Sequence, residues 1–284
     1  MKKEIKIFLQ LSPLVIIFLG LFVTGIVVTL LQSLHLIGLS AEKPTLVSYF
    51  LLLKNKQFVL SLVYSLFIAL ISSVLSIIFG TLIAAGIWRL PVKIRIFSIV
   101  YKVPLILPHI SIAFITILFL SKTGMLSRVA YHLGMIENFI SFPNILYSGK
   151  GLGIIFAYIM KETSFVILMV LGVLLKLPET QIQTSKMLGA NYLQTFNSVI
   201  IPFIRPALRT SFIIIFLYSL GAFDIPYIMS ETQPEMISVS IYNTFFNKDL
   251  IHRPEAAAEL IILFILSMSL LISFFKQDRK KYEN

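Results

Sequence analysis

The sequence predicts an all-α, polytopic membrane protein with about six transmembrane helices. Three observations carry that prediction. The 284 residues are 57% hydrophobic, with a mean hydropathy of +0.92. Only 13% are charged, against roughly 25% in soluble domains, so a water-exposed surface could not be built from them. The apolar residues fall in runs of about 20, the length that crosses a hydrocarbon core as a helix, and not in the alternating ~10-residue segments of a membrane barrel. There is no cysteine, which excludes disulfides, thiolate metal sites and a cysteine nucleophile. The net charge of +11 would suit nucleic acid. Its residues flank the apolar runs, however, as the positive-inside rule requires, and no nucleic-acid partner is expected.

In chain order, a short basic start (Lys2, Lys3, Lys6) precedes an apolar run from about Pro13 to Ile37. The run exceeds the 7–15 residues of a signal-peptide core and no small-x-small site follows, so it reads as the first span. Residues 38–57 form a mixed loop. The second span, about Phe58 to Ile87, carries two small-residue rows at i, i+4: Ser61, Ser65, Ala69, Ser73 and Ser72, Ser76, Gly80, Ala84. Such rows let helix backbones approach closely in lipid, in the protein core, along a solute path or at a partner. Residues 88–103 are basic. The third span, about Pro104 to Leu120, places Pro104 and Pro108 near its start, where proline costs least. His109 beside them reads as a hydrogen-bonded helix-end histidine. Residues 122–150 form an outer loop with a short amphipathic helix near Leu126–Leu133.

The fourth span, about Leu152 to Leu175, contains Lys161-Glu162. Ten residues at ~1.5 Å rise place the pair ~15 Å from the outer end, near the bilayer midplane. A charge there costs at least ~2.5 kcal/mol when it faces lipid, so both side chains are expected to face protein or water. Neighbours on a helix point ~100° apart and need not satisfy each other. A structural ion pair between helices is the preferred reading, and a role in lining a solute path is the other. Tyr158, Lys161, Glu162 and Asp224 are the candidates for such a path. The fifth span is expected at about Ala207 to Pro226, with Asp224 near its outer end. An outer loop follows over 227–255, then the sixth span, about Ala256 to Phe275, and a basic tail.

Between the fourth and fifth spans lies a polar island, residues 176–206. Its first helix-length piece is Glu179–Leu188. Gly189 breaks it, as a residue free to take positive φ does at a helix C-terminus. The second piece is Asn191–Ile201, with Asn191 as N-cap and Leu193, Phe196, Val199 and Ile200 as an apolar stripe at helical spacing. Pro202 is expected to end it. Lys plus Arg number three, four, four and four in the N-terminus, 88–103, 176–209 and the tail, against three, three and two in the opposite loops. The richer side is cytoplasmic by the positive-inside rule, which puts both termini and the Gly189 loop there.

This island resembles the cytoplasmic loop of the permease subunits of ABC importers, in which E-A-A, three residues, glycine, nine residues, I, one residue and L-P recur. Aligned on Gly189, Gln183, Thr184 and Ser185 stand at the E-A-A positions, Val199 at the I, Ile201 at the L and Pro202 at the P. The acidic residue is replaced by Gln183 and the two alanines by Thr184 and Ser185. Lys161-Glu162-Thr163-Ser164-Phe165 is similar to a Lys-Glu-x-Pro-Phe string of related permeases, with Ser164 in place of the proline. The resemblance covers roughly residues 58–275 and implies the type I importer permease fold. It divides the chain into an N-terminal helix and outer loop (1–57), a five-span core (58–275) and a tail (276–284).

The resemblance further implies a non-catalytic subunit of the bacterial cytoplasmic membrane, embedded in lipid. Its partners would be separate ATPase subunits, a second permease chain and an extracytoplasmic solute-binding protein. Gln183, Thr184, Ser185, Gly189, Ala190, Leu193, Phe196, Val199 and Pro202 would form the ATPase-coupling surface. The chain has no G-x-x-x-x-G-K-[ST] loop, so no cofactor is expected on it, and ATP and Mg would sit on the partner. Residues 220–246 look more like permeases for polyamines, iron, thiamine or phosphonates than like those for sugars, although a sugar importer stays open. An ion-coupled secondary transporter is the alternative from another class, with Lys161, Glu162 and Asp224 as a thin supply of ionisable groups. An intramembrane enzyme lacks any HExxH, paired-aspartate or Ser/His motif.

Overall fold

Six helices long and apolar enough to cross a membrane organise the computed structural model: Gln10–Ser33, Lys56–Arg89, His109–His132, Leu152–Leu174, Tyr192–Gly221 and Leu250–Lys276. The structure describes residues 2–39, 43–229 and 234–282. No strand occurs among the described residues. The described chain forms two compact units. Residues 1–60 and 239–284 make one; residues 61–238 make the other.

In the first unit the N-terminal helix Lys2–Ser33 packs along the C-terminal helix Arg253–Tyr282. The first helix begins before Pro13, which lies inside it. The short helix Val47–Lys54 also lies on the C-terminal helix. Tyr49 and Ser33 share a hydrogen bond of 2.7 Å, and His35 and Ser48 one of 2.8 Å. These tie the connection after the first span to the end of that span. The sequence predicts an outer loop over 227–255, without helices of its own. The described part is mostly short helices instead, at Asp224–Met229, Ile237–Tyr242, Asn243–Asn247 and Leu250–His252.

The second unit is built on the fourth span, whose buried face runs from Gly153 to Leu174. The small-residue rows of the second span are buried: Ser61, Ser65, Ala69, Ser72, Ser73, Ser76 and Ala84 all have 6% exposure or less. Gly80 shows why size matters there. A Cβ on it would stand 2.6 Å from Val166 side-chain carbons and 3.2 Å from the Thr163 carbonyl. Without a hydrophobic drive between helices in lipid, this close approach is where contact energy comes from.

Three features of the predicted spans are corrected, two of them at a proline. The third span is not continuous from Pro104. A turn at Val103–Ile106 ends at Leu107, which is extended (φ −67°, ψ 137°), and a new helix starts at His109. A residue before proline is driven out of the helical region, and Leu107 precedes Pro108. The fifth span does not reach Pro226 unbroken. It ends at Gly221, with Ala222 extended (φ −67°, ψ 137°), before the short helix Asp224–Met229. Pro202 does not end the loop helix. The chain runs helically from Tyr192 through a π-type turn at Phe196–Ile200 into Ile201–Gly221. The wider turn lets Ile201 N–H reach back to the Phe196 carbonyl, and Pro202 falls in the first turn of the next segment, where its missing donor costs little.

Candidate functional site

Two regions of the second unit hold the residues singled out by sequence, and the helix Tyr192–Gly221 joins them.

The first region is the loop after the fourth span. Glu179–Met187 is helical, and Gly189 follows it at φ +78°. Ala190 N–H donates to the Ser185 carbonyl at 3.1 Å and Gly189 N–H to the Lys186 carbonyl at 2.9 Å. This double closure needs a left-handed residue, and glycine takes that conformation without strain. Asn191 then starts the next helix in a full capping box: its Oδ1 accepts from Gln194 N–H at 2.9 Å while Gln194 Oε1 accepts from Asn191 N–H at 2.7 Å.

Of the three residues at the E-A-A positions, Ser185 is buried and its hydroxyl meets that of Thr195 at 2.7 Å, pinning the two loop helices together. Thr184 donates to the Thr180 carbonyl at 2.9 Å, and Gln183 is exposed. The apolar stripe divides. Phe196, Val199 and Ile200 pack against this chain's own cluster around Val170, Leu174 and Ile204. Leu193 stays 65% exposed, beside Met187 at 85% and Leu188 at 82%. The exposed aliphatic side chains of the loop are therefore Met187, Leu188 and Leu193. Sequence reading missed the first two, because they are adjacent at the end of the polar piece Glu179–Leu188 and form no helical stripe. Pro202 sits between the stripe and the span, and Ala190 is half-buried at the turn.

The second region lies at membrane depth. Glu162 is 3% exposed and accepts from two hydroxyls: Ser76 of the second span at 3.1 Å, and Ser219 of the fifth. Lys161, one residue earlier, turns the other way and donates to the Leu107 carbonyl at 2.7 Å. The preferred ion-pair reading is thus replaced by hydrogen bonds to neutral groups. The carbonyl Lys161 caps is the one freed by the break before Pro108. The second break has a matching cap, since Ser238 donates to the Ala222 carbonyl at 2.7 Å. Unsatisfied backbone is costly in lipid, and each break carries a side-chain donor.

The two breaks bring their following residues together. His109 Nδ1 stands 3.9 Å from Asp224 Oδ2, with both side chains partly exposed. The His109 ring stacks on Tyr218 at 5.3 Å between centroids. Tyr158 is fully buried behind them and donates to the Ser219 carbonyl at 3.4 Å. Of the predicted path residues, Asp224 is open, Tyr158 and Glu162 are buried, and Lys161 is half-buried. His109, Tyr218, Ser76 and Ser219 were not among the predicted site residues. Only His109, an ionisable ring inside an apolar run, carried a sequence signal. Glu259, in the sixth span, is a further buried carboxyl (4% exposed) that sequence reading passed over. Among the described residues no three His, Asp or Glu side chains gather as a metal-ligand set.

The sequence profile of the binding-protein-dependent transport system inner membrane component family matches residues 76–278. The chain belongs to that family. Its members are transport permeases, and this permease is a multi-pass membrane protein. Among curated relatives, the chain is 30% identical to the ferric transport system permease protein of Actinobacillus pleuropneumoniae over 214 residues, 75% of this chain and 29% of that one. It is 29% identical to the inner membrane ABC transporter permease protein YdcU of Escherichia coli over 64% of this chain and 58% of the other. To the spermidine/putrescine transport system permease protein of Escherichia coli it is 28% identical over 77% of each. The chain thus spans under a third of the ferric relative's length. A crystal structure of a bacterial ABC transporter involved in import of the acidic polysaccharide alginate has the same fold. Its TM-score is 0.82 at 17% identity, with 98% of this permease and 96% of that chain aligned.

Proposed function

We propose that this permease forms part of the solute path of an ATP-driven importer and takes its energy from separate ATPase subunits. The observation that carries the reading is the unbroken helix Tyr192–Gly221. One of its ends carries the exposed Leu193 in the loop, and its other end carries Tyr218 and Ser219 against His109 and Glu162. A continuous helix of 30 residues links the two ends, so a push at Leu193 reaches the membrane-depth cluster.

In this mechanism the loop faces the cytoplasm together with both chain termini. ATP, with Mg, closes a pair of ATPases. The loop helices follow them, and the span tilts the chain between inward-open and outward-open states. A second permease chain completes the cavity, and an extracytoplasmic binding protein delivers the solute. Residues 58–275 act as the translocating core, with the N-terminal helix as a peripheral addition. His109, Asp224 and Tyr218 face the path, while Lys161 and Glu162 hold its wall. The relatives favour a small charged solute of the polyamine or iron class.

Uptake by the complex in proteoliposomes tests this. Import of spermidine or ferric iron, presented on the cognate binding protein, is expected to require enclosed ATP and to persist when ionophores dissipate ion gradients. Gradient-driven uptake without ATP would instead make the permease a secondary transporter.

A further inference from the structure

At the loop end of the second unit, a cavity of about 810 Å³ opens between the end of the second span, the connection after it and the loop helices. Its walls carry three cations, Arg89, Arg95 and Lys186, against one carboxylate, Glu179. No carboxylate pairs with any of the three among the described residues. The neighbouring cavity, about 560 Å³ beside Pro202, has no charged lining residue, so the charge is not a general property of this end.

Two of the three cations are held in place. Arg95 Nη2 donates to the Trp88 carbonyl at 2.7 Å and the Leu90 carbonyl at 3.0 Å, which folds the connection back on the span. Its Nε is buried without a hydrogen-bond partner. The Arg89 guanidinium lies 3.1 Å from the Tyr192 ring centroid. Lys186, one turn before Gly189, is exposed and faces the same space.

The segment bearing Arg95 also exposes Ile94 (52%), Ile99 (62%) and Val100 (68%) beside Lys93 and Lys102. Apolar residues interleaved with cations at the end of a span are the composition of an interfacial element. Acyl chains would meet the isoleucines while a headgroup meets the arginines.

We infer that this cavity binds the phosphate of an anionic phospholipid headgroup, held by Arg89, Arg95 and Lys186. A fork of guanidinium donors suits phosphate oxygens, and basic pockets at the cytoplasmic ends of membrane helices take such headgroups. The site links the second span to the loop, because Arg89 is stacked on the first residue of the helix that reaches Ser219. An occupied site would fix that junction. The cavity shares Gln183 and Ala190 with the coupling surface of the transport reading, but its test needs neither ATPase nor transport.

Native mass spectrometry of the full chain in detergent tests it, with phosphatidylglycerol, phosphatidylcholine and inorganic phosphate offered separately. Phosphatidylglycerol is expected to be retained over phosphatidylcholine. Lys186→Gln, at an exposed position, is expected to cut that preference about fivefold, as is Arg89→Gln. Lys122→Gln at the opposite end should leave it unchanged. Equal retention of both lipids, or a preference that survives both substitutions, overturns the inference. Retention of inorganic phosphate without a preference for phosphatidylglycerol would assign the site to the free ion and overturn its assignment to lipid.

Discussion

The Ser219 hydroxyl of the fifth span donates to the Glu162 carboxylate of the fourth, and Ser76 of the second span donates to the other oxygen. One buried carboxyl thus clamps three helices at membrane depth. Glu162→Leu is expected to leave both hydroxyls without their acceptor and to lower the midpoint of thermal unfolding in detergent. Ser219→Ala removes one bond and should cost about 0.6–1.7 kcal/mol, the range for such bonds between membrane helices. Glu162→Gln keeps an acceptor oxygen and should fall between wild type and Glu162→Leu. An unchanged midpoint in Glu162→Leu would show that the clamp contributes nothing.

Close packing at Gly80 predicts a sharper effect from a smaller change. Gly80→Ala adds one methyl 2.6 Å from Val166 carbons. Overpacking of this kind costs about 1–3 kcal/mol, and the adjoining Thr163 carbonyl leaves the methyl little room. Gly86→Ala, on the same span with nothing within 4 Å, is the control and should be nearly neutral.

Lys161→Met is expected to strand the part-buried Leu107 carbonyl at the break in the third span, at about 1 kcal/mol. Hydrogen exchange should report it locally, as faster exchange at His109–Ile112 with the fourth span unaffected. Equal exchange in wild type and variant would mean that water already serves that carbonyl.

Orientation follows from the charge count and is tested by labelling. A cysteine at Asn138 should react with an impermeant reagent from outside intact cells, and one at Leu188 only after lysis. Thr232, which the sequence also places outside, lies outside the described residues. Reaction at position 188 in intact cells would invert the topology.

Much of this architecture is legible in the sequence, because bilayer thickness fixes span length and glycine and capping residues fix the loop. Gly189 at φ +78° and the Asn191–Gln194 capping box follow from local rules. Lys161 and Glu162 are recognisable by depth alone. Their partners are not, since Leu107, Ser76 and Ser219 lie 54, 86 and 57 residues away. Pro202 misleads because the expectation of a helix stop assumes regular α-helical bonding, which the π-type turn at Phe196–Ile200 relaxes. The break at Ala222 has no proline next to it and no sequence signal beyond Gly221. The stripe Leu193, Phe196, Val199, Ile200 is real, but three of its members turn inward onto the chain's own helix ends.

That division supplies the most direct test of the central claim, that an ATPase drives this permease through the exposed tip of the loop. Leu193→Asp places a charge among the exposed aliphatic side chains of the loop and should abolish co-purification of the ATPase while thermal stability stays at wild type. Phe196→Ala removes an internal contact instead. It should lower stability while the ATPase is retained. The measurement is ATPase stoichiometry in the purified complex of each variant. Loss of the ATPase in Leu193→Asp, with retention in Phe196→Ala, is the predicted result. Wild-type stoichiometry in Leu193→Asp would contradict the account.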